Sequence, residues 1–173
     1  VIGISQGIQP IIGFNYGAAK YTRVRKTYLL ALATATALSF VAFGCFQLFP
    51  RQIISVFGKG SELYFQFSER YFRIYMFLTL INGIQPVTSN FFNSIGKSSL
   101  GVFMSLTRQI LFLLPLIIVF PIFMGIDGVM YAGPIADAAT GIVCGIFTIR
   151  ELKELKTLSY TSENAAAASG SAN

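Results

Sequence analysis

The sequence predicts an all-α, polytopic membrane helix bundle, and three observations carry that prediction. Of 173 residues, 54% are hydrophobic and only 12% are charged, against roughly 25% charged in an ordinary soluble domain. Long uncharged stretches alternate with short segments that hold most of the Lys, Arg, Asp and Glu. Glycines and prolines recur inside the uncharged stretches, where neighbouring helices or water must satisfy the backbone groups they free. The composition also excludes chemistry. With no His, a Ser-His pair and His metal ligands are ruled out. A net charge of +6 reads in a membrane chain as an orientation signal rather than as an affinity for nucleic acid.

The first stretch, residues 1–19, is uncharged and ends at Lys20, as the tail of a span or most of one would. The chain starts at Val1 inside this apolar run, with neither a Met nor the charge pattern of a signal peptide, and so reads as a fragment. Three glycine pairs, Gly3 with Gly7, Gly13 with Gly17, and Gly141 with Gly145, have the small-xxx-small spacing that lets helices approach closely in lipid. A basic connector of Lys20, Arg23, Arg25 and Lys26 follows. Residues 27–49 are then uncharged throughout, long enough to cross a hydrocarbon core of about 30 Å.

Pro50 ends that span. Residues 51–60 have a short apolar centre between cations, which fits a brief interfacial helix. Ser61 is placed to cap the next helix with Glu62 in its first turn. Glu69 and Arg73 stand at the favourable i,i+4 spacing. Tyr64, Phe65, Phe67, Tyr71, Phe72 and Tyr75 crowd the same entry as an aromatic interface belt would. The third span is expected over 74–96, the fourth over 100–124 and the fifth over 128–149, with turns at Lys97-Ser98-Ser99 and Gly125-Ile126-Asp127-Gly128. Together 1–156 form a membrane domain. Residues 157–173 form a Ser/Ala-rich tail too poor in core residues to fold, hence disordered or foreign to the native protein. Cys45 and Cys144 lie in apolar stretches and read as small buried hydrophobes rather than a disulfide.

Alternation of the spans puts Lys20, Arg23, Arg25, Lys26, Lys97, Arg150, Lys153 and Lys156 on one side, and Arg51, Lys59, Arg70 and Arg73 on the other. The richer side is predicted to be cytoplasmic, with the C-terminus on it. Gly96-Lys97-Ser98 ends like a phosphate-binding loop, but Phe91 stands where that motif needs Gly, and the segment joins two apolar spans. ATP binding is therefore set aside, and no organic cofactor or metal site is expected.

The tetrapeptide Gly7-Ile8-Gln9-Pro10 returns at Gly83-Ile84-Gln85-Pro86. Matching interruptions of this kind point to a transporter's site. Pro10, Pro86, Pro115 and Pro134 are expected to break their helices. Gln9, Asn15, Asn82, Gln85 and Asn90 cluster around the first two breaks as candidates to line a pathway, although interhelical hydrogen bonding is an alternative role for each. Two ionisable residues lie at membrane depth. At about 1.5 Å per residue, Asp137 falls about 15 Å past Asp127 and Arg108 about 14 Å past Ser99, so the two depths nearly coincide. A charge there costs at least about 2.5–3.5 kcal/mol and calls for a partner. Arg108 and Asp137 are therefore expected to share a polar network. The alternatives are that Arg108 snorkels to the near face, that Asp137 caps a helix broken at Pro134, or that Asp137 titrates in proton coupling.

The run from Gly3 through Gln6-Gly7-Ile8-Gln9-Pro10 to Gly13-Phe14-Asn15-Tyr16-Gly17-Ala18 resembles the second-helix signature found in each half of MATE (multidrug and toxic compound extrusion) transporters. Arg108-Gln109-Ile110, Leu114-Pro115-Leu116, Gly128-Val129 and Pro134-Ile135-Ala136-Asp137 look like that family's last two helices. The resemblance covers about residues 1–155. It implies the C-terminal part of a two-lobe, twelve-helix transporter, with these segments matching helices eight to twelve and the N-terminal lobe as partner. It further implies a multi-pass protein of the cell membrane that exports organic cation drugs or dyes in exchange for Na⁺ or H⁺. Some members carry an essential carboxylate in the helix matching 74–96, and this chain has none there. The rival readings are a lipid-linked oligosaccharide flippase of the same superfamily and a membrane subunit that does not transport.

Overall fold

The computed structural model describes residues 1–57, 61–76, 81 and 83–170, with side chains described for all of these except 57, 75 and 162–170. The described elements are helical. They run as α1 (Ile2–Gly17), α2 (Tyr21–Leu48), α3 (Pro50–Phe57), α4 (Glu62–Tyr75), α5 (Ile84–Ser94), α6 (Ser98–Leu106), a π-helical stretch (Thr107–Leu113), α7 (Leu114–Met124) and α8 (Ile126–Gly170). Among the described residues, three runs are long and apolar enough to cross a membrane: Tyr21–Leu48, Ser98–Met124 and Ile126–Thr161. The middle of the span expected over 74–96 includes 77–80 and Asn82, which lie outside the described residues.

Local chemistry accounts for the boundaries. α2 ends at Leu48, and Pro50, which lacks a backbone donor, opens the short α3. Ser61 Oγ accepts from the Tyr64 amide at 3.4 Å and starts α4. Glu69, however, reaches Arg51 at 3.9 Å rather than Arg73, because α3 folds back onto α4. α7 ends on Gly125, whose φ of 61° suits a residue without a Cβ.

The core centres on α5. Val87, Phe91, Phe92 and Ile95 are buried together with Ile8 and Ile12 of α1, Val24 and Tyr28 of α2, Met104 of α6, and Cys144 and Leu155 of α8. α5 packs against α1, α2, α6 and α8. α6 comes closest. Gly101 faces α5 so tightly that an added Cβ would stand 2.9 Å from the Ser89 carbonyl oxygen, and Ser89 Oγ donates to the Gly101 carbonyl at 2.7 Å. The outer faces carry exposed Leu30, Phe40, Val41, Ile118, Ile122 and Phe123, as lipid contact requires.

Several expectations are corrected. The repeated tetrapeptide does not sit at matching places: Pro10 lies inside α1, whereas Pro86 lies in the first turn of α5. First-turn amides have no intrahelical acceptor, so Pro86 costs α5 itself no ladder bond. Pro10 and Pro134 each remove one ladder bond, but α1 and α8 continue as helix beyond them. Of the glycine pairs, Gly13 and Gly141 approach Ser94 and Ile81, while Gly3, Gly7, Gly17 and Gly145 face open space within this chain. Cys144 is buried and Cys45 exposed, and both are free thiols. α8 continues as backbone helix through the start of the Ser/Ala-rich tail as far as Gly170.

Candidate functional site

Two polar constellations occupy the interior. The first lies between the rod Ser98–Met124 and α8. Pro115 has no N–H for the carbonyl four residues back, and its ring crowds that carbonyl. Just ahead of it, over Thr107–Leu113, the rod widens into π-helix. Such widenings insert an extra residue and re-aim side chains, often at functional positions. Arg108 sits in this stretch. Its Nε donates to Asp137 Oδ1 on α8, with side-chain exposures of 23% for Arg108 and 7% for Asp137. Neither snorkelling nor helix capping describes this geometry. Beside the pair, Thr107 Oγ1 donates to its own helix at the Phe103 carbonyl, 2.6 Å away. Thr140, one turn beyond Asp137, keeps its buried hydroxyl without a partner among the described residues.

The second constellation joins α1 to α5. Asn90 Oδ1 accepts from Gln9 Nε2 at 2.5 Å, and Asn90 Nδ2 donates to Ser5 Oγ at 2.9 Å. Ser5 Oγ in turn donates to the Ile2 carbonyl at 2.8 Å. Asn90 thus bridges successive turns of α1, and Gly13 meets Ser94 further along. The two helices therefore run parallel. Gln85 Nε2 points the other way, to the carbonyls of Met104 at 3.2 Å and Ser105 at 3.4 Å. Asn15 donates to its own helix at the Ile11 carbonyl, 2.8 Å away. Asn82 lies outside the described residues. Gln9, Asn90 and Gln85 therefore bind helix to helix, Arg108 and Asp137 bind rod to α8, and Asn15 stands apart.

Sequence reasoning missed a third group. The Tyr28 hydroxyl lies 3.0 Å from Thr88 Oγ1 and 3.1 Å from Thr148 Oγ1, tying α2, α5 and α8 together in the dry core. The phenol ring stacks on Phe91 with centroids 4.3 Å apart. The signal available was a tyrosine with its hydroxyl in an uncharged run, which must find partners if buried.

Both ends of the bundle are tied. Lys97 Nζ meets Glu151 at 2.7 Å and Glu154 at 3.2 Å. Burial pushes the Lys97 ammonium down, but the two carboxylates outweigh it and hold its pKa above the usual value. At the opposite end Tyr71 donates to Asp127 at 2.6 Å, and that bond raises the phenol's pKa. Arg51 pairs with Glu62 at 2.6 Å and lies over the Phe65 ring, 5.2 Å from its centroid. Among the described residues no cluster of His, Cys, Asp and Glu is suited to hold a metal ion.

These helices, with a π-widened rod carrying a buried ion pair, bear comparison with known proteins. The MatE family model matches residues 1–126. The chain belongs to the MatE family. Its fold matches that of the MATE multidrug transporter DinF-BH in complex with the dye rhodamine 6G, at 37% identity and a TM-score of 0.79, over 86% of this chain and 33% of that one. A multidrug resistance MATE family transporter of the MOP superfamily shares the fold in its outward-facing conformation, at 18% identity and a TM-score of 0.80 over 88% of this chain and 35% of that one. The inward-facing conformation gives 16% identity and a TM-score of 0.79 over 88% and 36%. This MatE chain thus spans about a third of the length of the transporters it matches. No curated protein matches it.

Proposed function

We propose that the chain is the C-terminal portion of a cation-coupled multidrug efflux antiporter that exports organic cations in exchange for Na⁺ or H⁺. The observation that carries this reading is the 37% identity, over 86% of the chain, with a multidrug transporter that holds a bound dye. In this reading the chain supplies one wall of a membrane cavity and an N-terminal lobe supplies the other. Gln9 and Asn90 hold that wall's α1 and α5 in register, and Gln85 holds α6. The Arg108–Asp137 pair keeps the last two spans together. Residues 74–96 carry no acidic side chain, so a coupling carboxylate from that span is not available. The protein sits in the cell membrane with its C-terminus in the cytoplasm, as the distribution of Lys and Arg supports.

The test is efflux of the same rhodamine dye from cells expressing the full-length protein, with the Na⁺ and H⁺ gradients collapsed separately. The expected outcome is lower dye accumulation that reverts when one of the two gradients is removed. Unchanged accumulation of the dye and of other organic cations under both gradients would defeat the proposal.

A further inference from the structure

At the lysine-rich end, where a short turn joins α1 to α2, lies a groove of about 690 Å³ lined by Arg23, Lys26, Thr27, Ile11, Asn15, Leu29 and Leu30. Its two cations have no ion-pair partner among the described residues, in contrast to Lys97 and Arg51. Its walls are apolar: Leu29 is 40% exposed and Leu30 69% exposed. The Asn15 amide is already engaged by the Ile11 carbonyl and Thr27 adds only a neutral hydroxyl, so the charge in the groove is cationic. A smaller groove on the other flank of Lys26 adds Arg25 and Lys156.

The depth of this groove in the bilayer follows from its neighbours. The Tyr16 and Tyr21 rings pack edge to face with centroids 5.5 Å apart beside it, and tyrosines concentrate at the headgroup level. The uncharged stretch of α2 begins immediately after Lys26. Two unpaired cations at headgroup depth above an exposed leucine wall complement a ligand with an anionic head and a hydrocarbon tail.

We propose that the groove between α1 and α2 binds an anionic phospholipid, with Arg23 and Lys26 on the phosphate and Ile11, Leu29 and Leu30 along the acyl chain. Each cation near an anionic lipid surface adds about fivefold in affinity. The site is independent of what the protein exports.

The test uses the full-length protein purified in detergent and titrated with phosphatidylglycerol, phosphatidylcholine or inorganic phosphate, with retained lipid read by native mass spectrometry. The expected result is preferential retention of phosphatidylglycerol, reduced at least about fivefold in the Arg23→Gln/Lys26→Gln variant and unchanged by inorganic phosphate. Arg150→Gln/Lys153→Gln removes two exposed cations from the same end but outside the groove and retains the lipid as the unmodified protein does. Equal retention of the two lipids, equal loss in both double variants, or displacement by inorganic phosphate would each overturn the proposal.

Discussion

Charge at membrane depth is costly enough that a single residue can be read from sequence as needing a partner. Arg108 and Asp137 were legible on that ground, since their depths coincide and opposite charges stabilise one another. What the sequence could not show is how they meet. Arg108 reaches α8 from the π-helical stretch ahead of Pro115, and hydrophobic periodicity carries no mark of such a widening. The pair sets a sharp expectation. Removing one partner of a buried ion pair leaves an uncompensated charge and costs about 3–5 kcal/mol, whereas replacing both with apolar groups of similar volume is close to neutral. Arg108→Met and Asp137→Leu should each lower the melting temperature of the purified full-length protein well below that of the double variant. If the double variant is as unstable as the two single losses added together, the side chains act independently and the pairing carries no weight.

At the scale of elements, the three long apolar helices were legible because an uncharged run of sufficient length has few other uses, and their boundaries followed from Pro50, Lys97-Ser98-Ser99 and Gly125. The central place of α5 was not. Its polar residues, Thr88, Ser89 and Asn90, look like a solvated face by composition, yet Thr88 and Ser89 are buried. Each of the three satisfies a neighbouring helix: Thr88 meets Tyr28, Ser89 meets Gly101 and Asn90 meets α1. Gln9, Gln85 and Asn90, read as pathway candidates, join helices for the same reason, since in a water-free interior a polar group bonds to whatever helix it faces. The α5–α6 contact rests on the missing side chain of Gly101. A methyl group there would stand 2.9 Å from the Ser89 carbonyl oxygen and nearer still to the Asn93 amide, and overpacking of this kind costs about 1–3 kcal/mol. Gly101→Ala should lower the melting temperature, while Gly145→Ala, which meets nothing within 4 Å in this chain, should leave internal packing unchanged. An unaltered melting temperature in Gly101→Ala would mean that α6 can shift away without loss, and that the close approach is not needed.

At the scale of the whole molecule, the two ends differ in the way charge is handled, and this difference predicts an orientation. The same fold matches outward-facing and inward-facing transporters almost equally, with TM-scores of 0.80 and 0.79. At one end, Lys97 is bound to Glu151, and the two grooves that share Lys26 gather Arg23, Arg25 and Lys156. At the other end, Arg51 is paired with Glu62, and Tyr71 holds Asp127. Acidic residues count little in setting topology, so the surplus of Lys and Arg decides. A green fluorescent protein fused after Asn173 in the full-length protein should fluoresce in cells, and alkaline phosphatase fused at the same point should be inactive. The reverse pair of results would place the lysine-rich end outside, and with it the Arg23–Lys26 groove in the opposite leaflet. Replacing Arg23, Arg25, Lys26, Arg150, Lys153 and Lys156 together with Gln should raise phosphatase activity in the fusion, because it leaves only Lys20 and Lys97 against Arg51, Lys59, Arg70 and Arg73 and so reverses the asymmetry. Removing Arg51, Arg70 and Arg73 instead should leave the reporter inside, since the asymmetry then grows.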